Sequence, residues 1–273
     1  MRGGQRQHRL DQAHVDRGAP RVEFARGTLH ASGFSLEWVR ESGTVIIPCG
    51  AAVVLLLEPG VSVTHAAVKL CADQGTLLVW VGEAGVRVYS SGHPGGAAGE
   101  RILLQARRAL LPRSRIAVAR RFYQRMLGAD PPPSSSIEVL RGFEGSRVKV
   151  WYRDIAAEKA VPWESRERAP VRLRDALGFA SATLYGIAEA VILAAGFSPA
   201  IGFIHEGDPR SLVFDLADTV KFKTVIPLAF DVFLSDTHDV RSSVRRACRD
   251  LYRESRLIEV LMDNLLYAMD VSA

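Results

Sequence analysis

The sequence predicts an α+β fold, a small N-terminal β-rich domain followed by a larger all-helical domain, and three observations lead there. From Val22 to Leu57 short β-rich runs (VEFA, TLHA, FSLEWV, TVIIP, VVLLL) are separated by Arg26-Gly27, Ser32-Gly33 and Glu41-Ser42-Gly43, which is hairpin punctuation. From Glu100 onward apolar residues recur at helical spacing instead. Between the two regimes, SGHPGGAAG has the composition of a linker. The predicted boundaries are a loose tail over 1–20, a β domain over 21–92 and a helical domain over 93–273.

Composition bounds the rest. The chain has 273 residues, 48% of them hydrophobic, enough for a packed core, and a net charge of +5 that permits an anionic partner without requiring one. Cys49, Cys71 and Cys248 are scattered and odd in number, which suggests neither a disulfide framework nor a zinc site and points to the cytoplasm. The most apolar segment, Phe179 to Phe197, contains Glu189 and Gly186 and is short for a membrane span, so it reads as a core helix. Residues 1–20 are polar and lack an apolar signal region.

Taken in order, the β runs predict a small antiparallel sheet. Glu58-Pro59-Gly60 turns the chain into a helix from about Thr64 to Gln74, with Gly75 at the position that favours a left-handed residue. TLLVWV and VRVY close the domain. ILLQARRALL and RIAVARRFYQRML are helical, the second stopped by Gly128 and the break ADPPPSSS. In the next helix, Ile137 to about Ala157, an inward stripe of Ile137, Leu140, Val148, Trp151 and Ile155 has one rung occupied by Glu144. Val161 to Leu173 reads as irregular, and SATLYGIAEAVILAAG as a small-residue helix forming the spine of a bundle. The terminal run VRRACRDLYRESRLIEVLMDNLLYAM reads as amphipathic and peripheral.

Chemistry concentrates between Ile201 and Ile226, IGFIHEGDPRSLVFDLADTVKFKTVI. Asp208 and Pro209 read as a helix cap and first turn, and Pro227 as a kink. Leu212, Val213, Phe214, Leu216, Ala217, Val220, Phe222 and Val225 cover nearly the whole helix circumference, so this helix is packed on most sides. Asp215 and Asp218, three residues apart, share one face. Burying unpaired carboxylates costs several kcal/mol, so they require a cation, protons or a basic partner. His205 lies on the preceding loop. Glu144, His205, Asp215 and Asp218 together suit Mg²⁺ or Mn²⁺, hard ions that prefer oxygen and tolerate one nitrogen. The alternative is that Glu144 and Asp215 form buried ion pairs with arginines and that His205 is a satisfied loop histidine.

Arginines supply the second feature. Arg101, Arg107, Arg108, Arg113, Arg115, Arg120, Arg121 and Arg125 fall on two successive helices, and Arg241, Arg245, Arg246, Arg249, Arg253 and Arg256 follow later. They read either as a phosphate grip or as a solvated face. An acidic site beside arginine-rich helices is the equipment of phosphoryl transfer on nucleic acid. Neither a glycine-rich phosphate loop nor a Ser-His-Asp or Cys-His pattern is visible, so chemistry through a protein nucleophile has no support.

Three stretches, LLLEPGVSVTHAAVKLCADQGTLLVWVGEAGVRVYSSGHPGG, LRGFEGSRVK and LYGIAEAVILAAGFSPAIGFIHEGDPRSLVFDLADTVKFKTVIP, resemble in content and order the CRISPR-associated integrase, the catalytic subunit of the spacer-acquisition complex, in its type I-E form. The resemblance spans about Val22 to Tyr252. It implies metal ligation by Glu144, His205 and Asp218, with Asp215 as a further acidic catalytic residue. It also implies basic DNA contacts at Lys69, Arg87, Lys221, Arg245 and Arg249. The implied activity is that of a metal-dependent DNA endonuclease and integrase, in which the 3′-hydroxyl of a captured DNA attacks a phosphate at the CRISPR repeat boundary. The implied assembly is a homodimer joined to a small ferredoxin-like adaptation protein and carrying double-stranded DNA. Departures from the pattern are Arg26, where close relatives carry a duplex-bracing tyrosine, Ser62 in place of a basic residue, and Asp208 where lysine is common. A non-catalytic DNA-binding scaffold of the same complex is the competing expectation.

Overall fold

The fold was analysed in a computed structural model that describes residues 21–24, 26–48, 54–82, 88–92, 98–133, 136–235 and 238–271. The tail over 1–20, Cys49 and Arg87 lie outside the described residues. The chain divides into two compact units, one of residues 1–80 and 90–95, the other of 81–89 and 96–273.

The strands, which belong to the first unit apart from Val81, Val88 and Tyr89, are β1 (Arg21–Phe24), β2 (Gly27–Ser32), β3 (Ser35–Arg40), β4 (Gly43–Pro48), β5 (Val54–Leu57), β6 (Val61–Val63), β7 (Leu77–Val81) and β8 (Val88–Gly92), with helix α1 (His65–Asp73) between β6 and β7. They form two four-stranded sheets, ordered β1-β5-β7-β8 and β4-β3-β2-β6. The single antiparallel sheet expected from the hairpin signals is therefore corrected. β2–β3 and β3–β4 are antiparallel, but β1–β5, β5–β7 and β2–β6 run parallel. The reason is visible in β5, whose VLLL is buried at every position: a non-alternating apolar run belongs to a strand covered on both faces. Leu29, Leu36, Trp38, Ile47, Leu55, Leu57 and Cys71 build the core of this unit. α1 begins and ends where its sequence says. Thr64 accepts from the Ala67 amide at 3.3 Å, and Gly75 takes φ +71° just past the C-cap.

The second unit holds α2 (Ala98–Leu110), α3 (Pro112–Leu127), α4 (Ile137–Glu158), α5 (Val171–Ala194), α6 (Ser211–Lys221), α7 (Val225–Leu234), α8 (Val240–Glu254) and α9 (Leu257–Met269). α5 is the spine, packed against α6, α7, α8 and α9. By length and composition it could cross a membrane, but 72% of its apolar window is buried inside the unit. Truncating a fully buried residue such as Leu177 or Leu184 to alanine should cost about 2–5 kcal/mol.

Four expectations for this half need correction. α5 starts at Val171, because the charged turn RLRD still presents Leu173 and Ala176 inward and Pro170 supplies the start. The helix after His205 does not run through Val225. It stops at Lys221, and α7 restarts at Val225 with Pro227 in its first turn, where no amide hydrogen is needed, so proline starts a helix and kinks none. Asp208 is not the cap of α6. Its Oδ1 accepts from the Arg210 amide at 2.8 Å and its carbonyl from the Ser211 amide at 3.0 Å, closing a turn that starts two residues before the N-cap at Arg210. The terminal run is two helices, broken at left-handed Arg256, and α9 is no peripheral element: Leu257, Leu261, Leu265 and Met269 are buried where it meets α3, α5 and α6.

Candidate active site

The loop between α5 and α6 carries His205, and its shape follows from one buried carboxylate. Asp215, 1% exposed, accepts hydrogen bonds from the amides of Phe203 (2.6 Å), Ile204 (3.1 Å) and His205 (2.9 Å). The same carboxylate lies 2.8 Å from His205 Nδ1. Three amide donors and an imidazole satisfy the charge without an arginine. Because an ionised carboxylate only accepts, Nδ1 carries the proton and Nε2 is left as the acceptor or ligand nitrogen. Asp215 therefore positions His205.

Behind the loop, Gln105 is fully buried in α2. Its Nε2 donates to the carbonyls of Ser198 (2.9 Å) and Ile201 (2.7 Å), and its Oε1 accepts from the Ser198 amide at 2.8 Å. From α3, Arg115 donates to the Phe203 carbonyl at 2.9 Å and pairs with Glu206. Gly202 is required by space, since a Cβ there would stand 2.4 Å from the His205 carbonyl oxygen and 2.7 Å from Ser211 Cβ. Gln105 is a residue that sequence reasoning missed. The available signal was an amide at an inward position of an otherwise apolar run, the same anomaly that exposed Glu144.

Glu144 is half-buried in α4, and Tyr123 Oη, buried in α3, donates to its Oε2 at 2.8 Å. Burial first, then the charge of Asp218, pushes the Glu144 carboxyl above the ordinary range, against the opposing effects of the Tyr123 hydrogen bond and His205. Tyr123 is itself raised, by burial and then by Glu144. Asp218, one turn beyond Asp215 on α6, lies 3.2 Å from Lys221 Nζ, which also donates to Tyr185 Oη of α5 at 2.8 Å. The Lys221 side chain is 13% exposed. Burial opposes its charge most strongly, but the charge of Asp218, the Tyr185 phenol and the hydrogen bonds to both together raise its pKa. Burial likewise opposes the His205 imidazolium, but the Asp215 hydrogen bond and charge, with Asp218 and Glu144 beyond, raise its pKa.

Glu144, His205 and Asp218 thus act on one another from α4, the loop and α6. Among the described residues, however, no three His, Cys, Asp or Glu side chains stand close enough to form a metal centre as they are. Their donor chemistry still fits a hard divalent cation. They supply two carboxylates, one resisting ionisation through burial and the charge of the other, and an imidazole nitrogen set free by the Asp215 bond. Neither Glu144 nor Asp215 is paired with an arginine among the described residues, so the expected arginine ion pairs are not formed there, whereas His205 is bonded, to Asp215, as the ion-pair alternative had it.

The arginine rows divide. On α2 and α3 most guanidinium groups are engaged within the fold: Arg101 to the Ala195 carbonyl (2.9 Å), Arg120 to the Pro132 carbonyl (2.7 Å), Arg121 to the Ala268 carbonyl (2.8 Å) and Arg125 to Asp263 (3.0 Å). A continuous phosphate grip on these helices is corrected accordingly. The engaged arginines hold the C-cap carbonyl of α5, a last-turn carbonyl and the Asp263 carboxylate of α9, and the 131–132 segment. On α8, capped by Asp239, Arg241, Arg246 and Arg253 are exposed, with Arg245 contacting Ser242 at 3.1 Å and Arg249 contacting Asp250 at 3.0 Å. In the first unit, Lys69 is exposed on α1 and paired with Asp73 at 2.5 Å.

Residues 124–240 match the family model described as CRISPR associated protein Cas1. The "CRISPR-associated endonuclease Cas1" of Escherichia coli (strain K12) is 46% identical over 222 residues, covering 79% of this chain and 73% of that protein. The chain belongs to the Cas1 family. Solved Cas1 structures agree. A crystal structure of TtCas1 superposes with a TM-score of 0.82 at 35% identity, over 91% of this chain and 96% of that one. A TtCas1–DNA complex gives 0.81 at 33% identity, over 93% and 97%. The Cas1 fold thus accounts for both the β-rich unit and the helical one, and the site described above lies in the helical one.

Proposed function

We propose that this protein is a divalent-metal-dependent DNA endonuclease and integrase that inserts short DNA into a CRISPR array. The observation that carries the proposal is the coupled set Glu144, His205 and Asp218, with His205 locked through Nδ1 to a buried, amide-bound Asp215. Glu144, His205 and Asp218 would hold Mg²⁺ or Mn²⁺, which would polarise the scissile phosphate as a Lewis acid. The protein's own share is to orient and to move protons. The incoming DNA supplies the nucleophile: its 3′-oxygen forms the new O–P bond, the target 3′-oxygen leaves, and one proton passes from the first oxygen to the second. With Nδ1 bound to Asp215, His205 has only Nε2 to offer and would give it to the ion, so the proton would pass by way of a free carboxylate oxygen of Glu144 or solvent. The basic face of α8, with Arg245 and Arg249, and Lys69 and Lys221 would contact DNA, in keeping with the DNA-bound TtCas1. A homodimer joined to the small ferredoxin-like partner, working in the cytoplasm, completes the reading, and the free buried thiols of Cys71 and Cys248 suit a reducing compartment.

One observation favours a second reading, a non-catalytic DNA scaffold. Lys221 already occupies Asp218, Tyr123 occupies Glu144, and the acidic groups are not gathered. Strand transfer into supercoiled DNA, assayed with Mg²⁺, Mn²⁺ or chelator, after pull-down with the neighbouring small adaptation protein, separates the two. The integrase requires ion-dependent joined product, and DNA binding without product leaves the scaffold.

A further inference from the structure

Adjoining Asp218 is a pocket of about 110 Å³ that the reaction itself does not use. Its walls include Trp151 of α4 and Phe222 just past α6, Met126 of α3 forms part of its lining, Asp218 contributes a carboxylate, and Arg147 and Lys223 stand at it with exposed side chains. The Trp151 and Phe222 rings lie 5.0 Å apart at 34°, and the Arg147 guanidinium sits 5.6 Å from the Trp151 ring centroid. Lys223 Nζ reaches the Arg125 carbonyl at 3.3 Å, holding its charge at the pocket. Trp151 remains partly open to solvent.

Each part of this lining favours one occupant. An aromatic face flanked by cations is the surface on which single-stranded nucleic acid stacks its bases while its phosphates are held beside it. A duplex backbone needs only the cations. The Asp218 carboxylate repels a phosphate from the pocket interior but tolerates a neutral base, and it accepts from an exocyclic amino group. Resting on the catalytic reading above, we propose that this pocket receives the base of an unpaired nucleotide next to the reacting phosphate. The base stacks on Trp151, and its flanking phosphates lie between Arg147 and Lys223. The shared Asp218 places the pocket one side chain from the chemistry, so seating the base fixes which phosphate reacts.

The test uses the full chain and branched DNA carrying either a normal nucleotide or an abasic one beside the reacting phosphate. Trp151→Ala should lower kcat/KM on normal DNA about tenfold, mostly through KM, as expected for one lost stack. The abasic substrate should cost the parent the same factor and cost Trp151→Ala nothing further. Trp151→Phe should retain most of the activity. Losses that multiply, or no loss at all, overturn the proposal. Binding is read without chemistry from the tryptophan emission that Trp151→Phe removes: a single-stranded deoxycytidine oligomer should quench it, and Arg147→Ala, an exposed change, should weaken the quenching. Absence of quenching in the folded parent overturns the proposal. Quenching in a parent that joins and cleaves no DNA upholds the pocket and overturns the catalytic reading instead.

Discussion

The acidic set around α6 and the arginine rows of α2 and α3 are both dense in charge, and the fold treats them in opposite ways. On α2 and α3 the guanidinium groups end on carbonyls and carboxylates of the same unit, such as Ala195, Pro132, Ala268 and Asp263. Around α6 only Asp215 is fully satisfied. Burial and the charge of Asp218 raise the cost of ionising Glu144, and the two carboxylates are held by a phenol and a lysine that a ligand could displace. Charge whose partners lie within the fold builds structure, whereas charge left short of partners marks the place for an outside ligand.

The largest expected effect tests the acidic side of that contrast. Asp218→Ala should lower strand transfer by about 10³-fold, the several kcal/mol that ion-assisted phosphate chemistry supplies, while DNA affinity changes little. Near-parental integration with Mg²⁺ or Mn²⁺ would remove Asp218 from the site. Next comes the interior of α2. Gln105→Ala removes the side-chain partner of the Ile201 carbonyl and the Ser198 amide, and one of two donors to the Ser198 carbonyl, and should cost about 3 kcal/mol in chemical denaturation; a loss under about 0.5 kcal/mol would mean the loop does not depend on it.

A third pair compares arginines directly. Arg121→Gln should cost about 1–2 kcal/mol of stability and leave the salt dependence of DNA binding unchanged. Arg249→Ala should do the reverse, making the log–log salt slope shallower by about 0.9 for each phosphate no longer neutralised. Equal slopes for both variants and the parent would erase the distinction between the two rows.

The smallest effect concerns Glu144. A carboxyl raised in the folded state is neutral in both states at low pH and contributes nothing there. As pH climbs past the ordinary glutamate range, the unfolded chain releases its proton first, and the folded state loses stability until the raised value is passed. With chelator present, Glu144→Gln should therefore melt with the parent near pH 4. Near pH 7 it should melt at or above the parent, by about 1 kcal/mol or less. Added Mn²⁺ should favour the parent. Strong destabilisation of Glu144→Gln in chelator, with equal gains from Mn²⁺, would make Glu144 a structural residue.

Local chemistry was the part legible in advance. Thr64 and Gly75 mark the ends of α1 because capping involves neighbours in sequence, and Glu144 betrays itself as a carboxylate on an apolar stripe. Asp215 and Asp218 are visible as acids in an apolar helix, but nothing in their spacing tells a positioning residue from a candidate ligand. That depends on which amides the preceding loop turns inward. The parallel pairing of β1, β5 and β7 escaped because hairpin signals report only adjacent strands. The burial of α9 escaped because an amphipathic pattern does not name its partner, and the arginines of α2 and α3 because their acceptors lie far along the chain.

That distance also sets a timetable for the molecule as it is made. Gln105 bonds residues 93 and 96 positions ahead of it, Arg115 one 88 ahead, and Arg121 one 147 ahead. At ribosomal speeds of about 5–20 residues per second, roughly 5 to 30 s separate each donor from its acceptor. During that interval α2 and α3 present an uncompensated basic, apolar surface to solvent. The loop that carries His205 cannot take its bonded shape until the nascent chain has passed Asp215, so this arrangement forms late in synthesis.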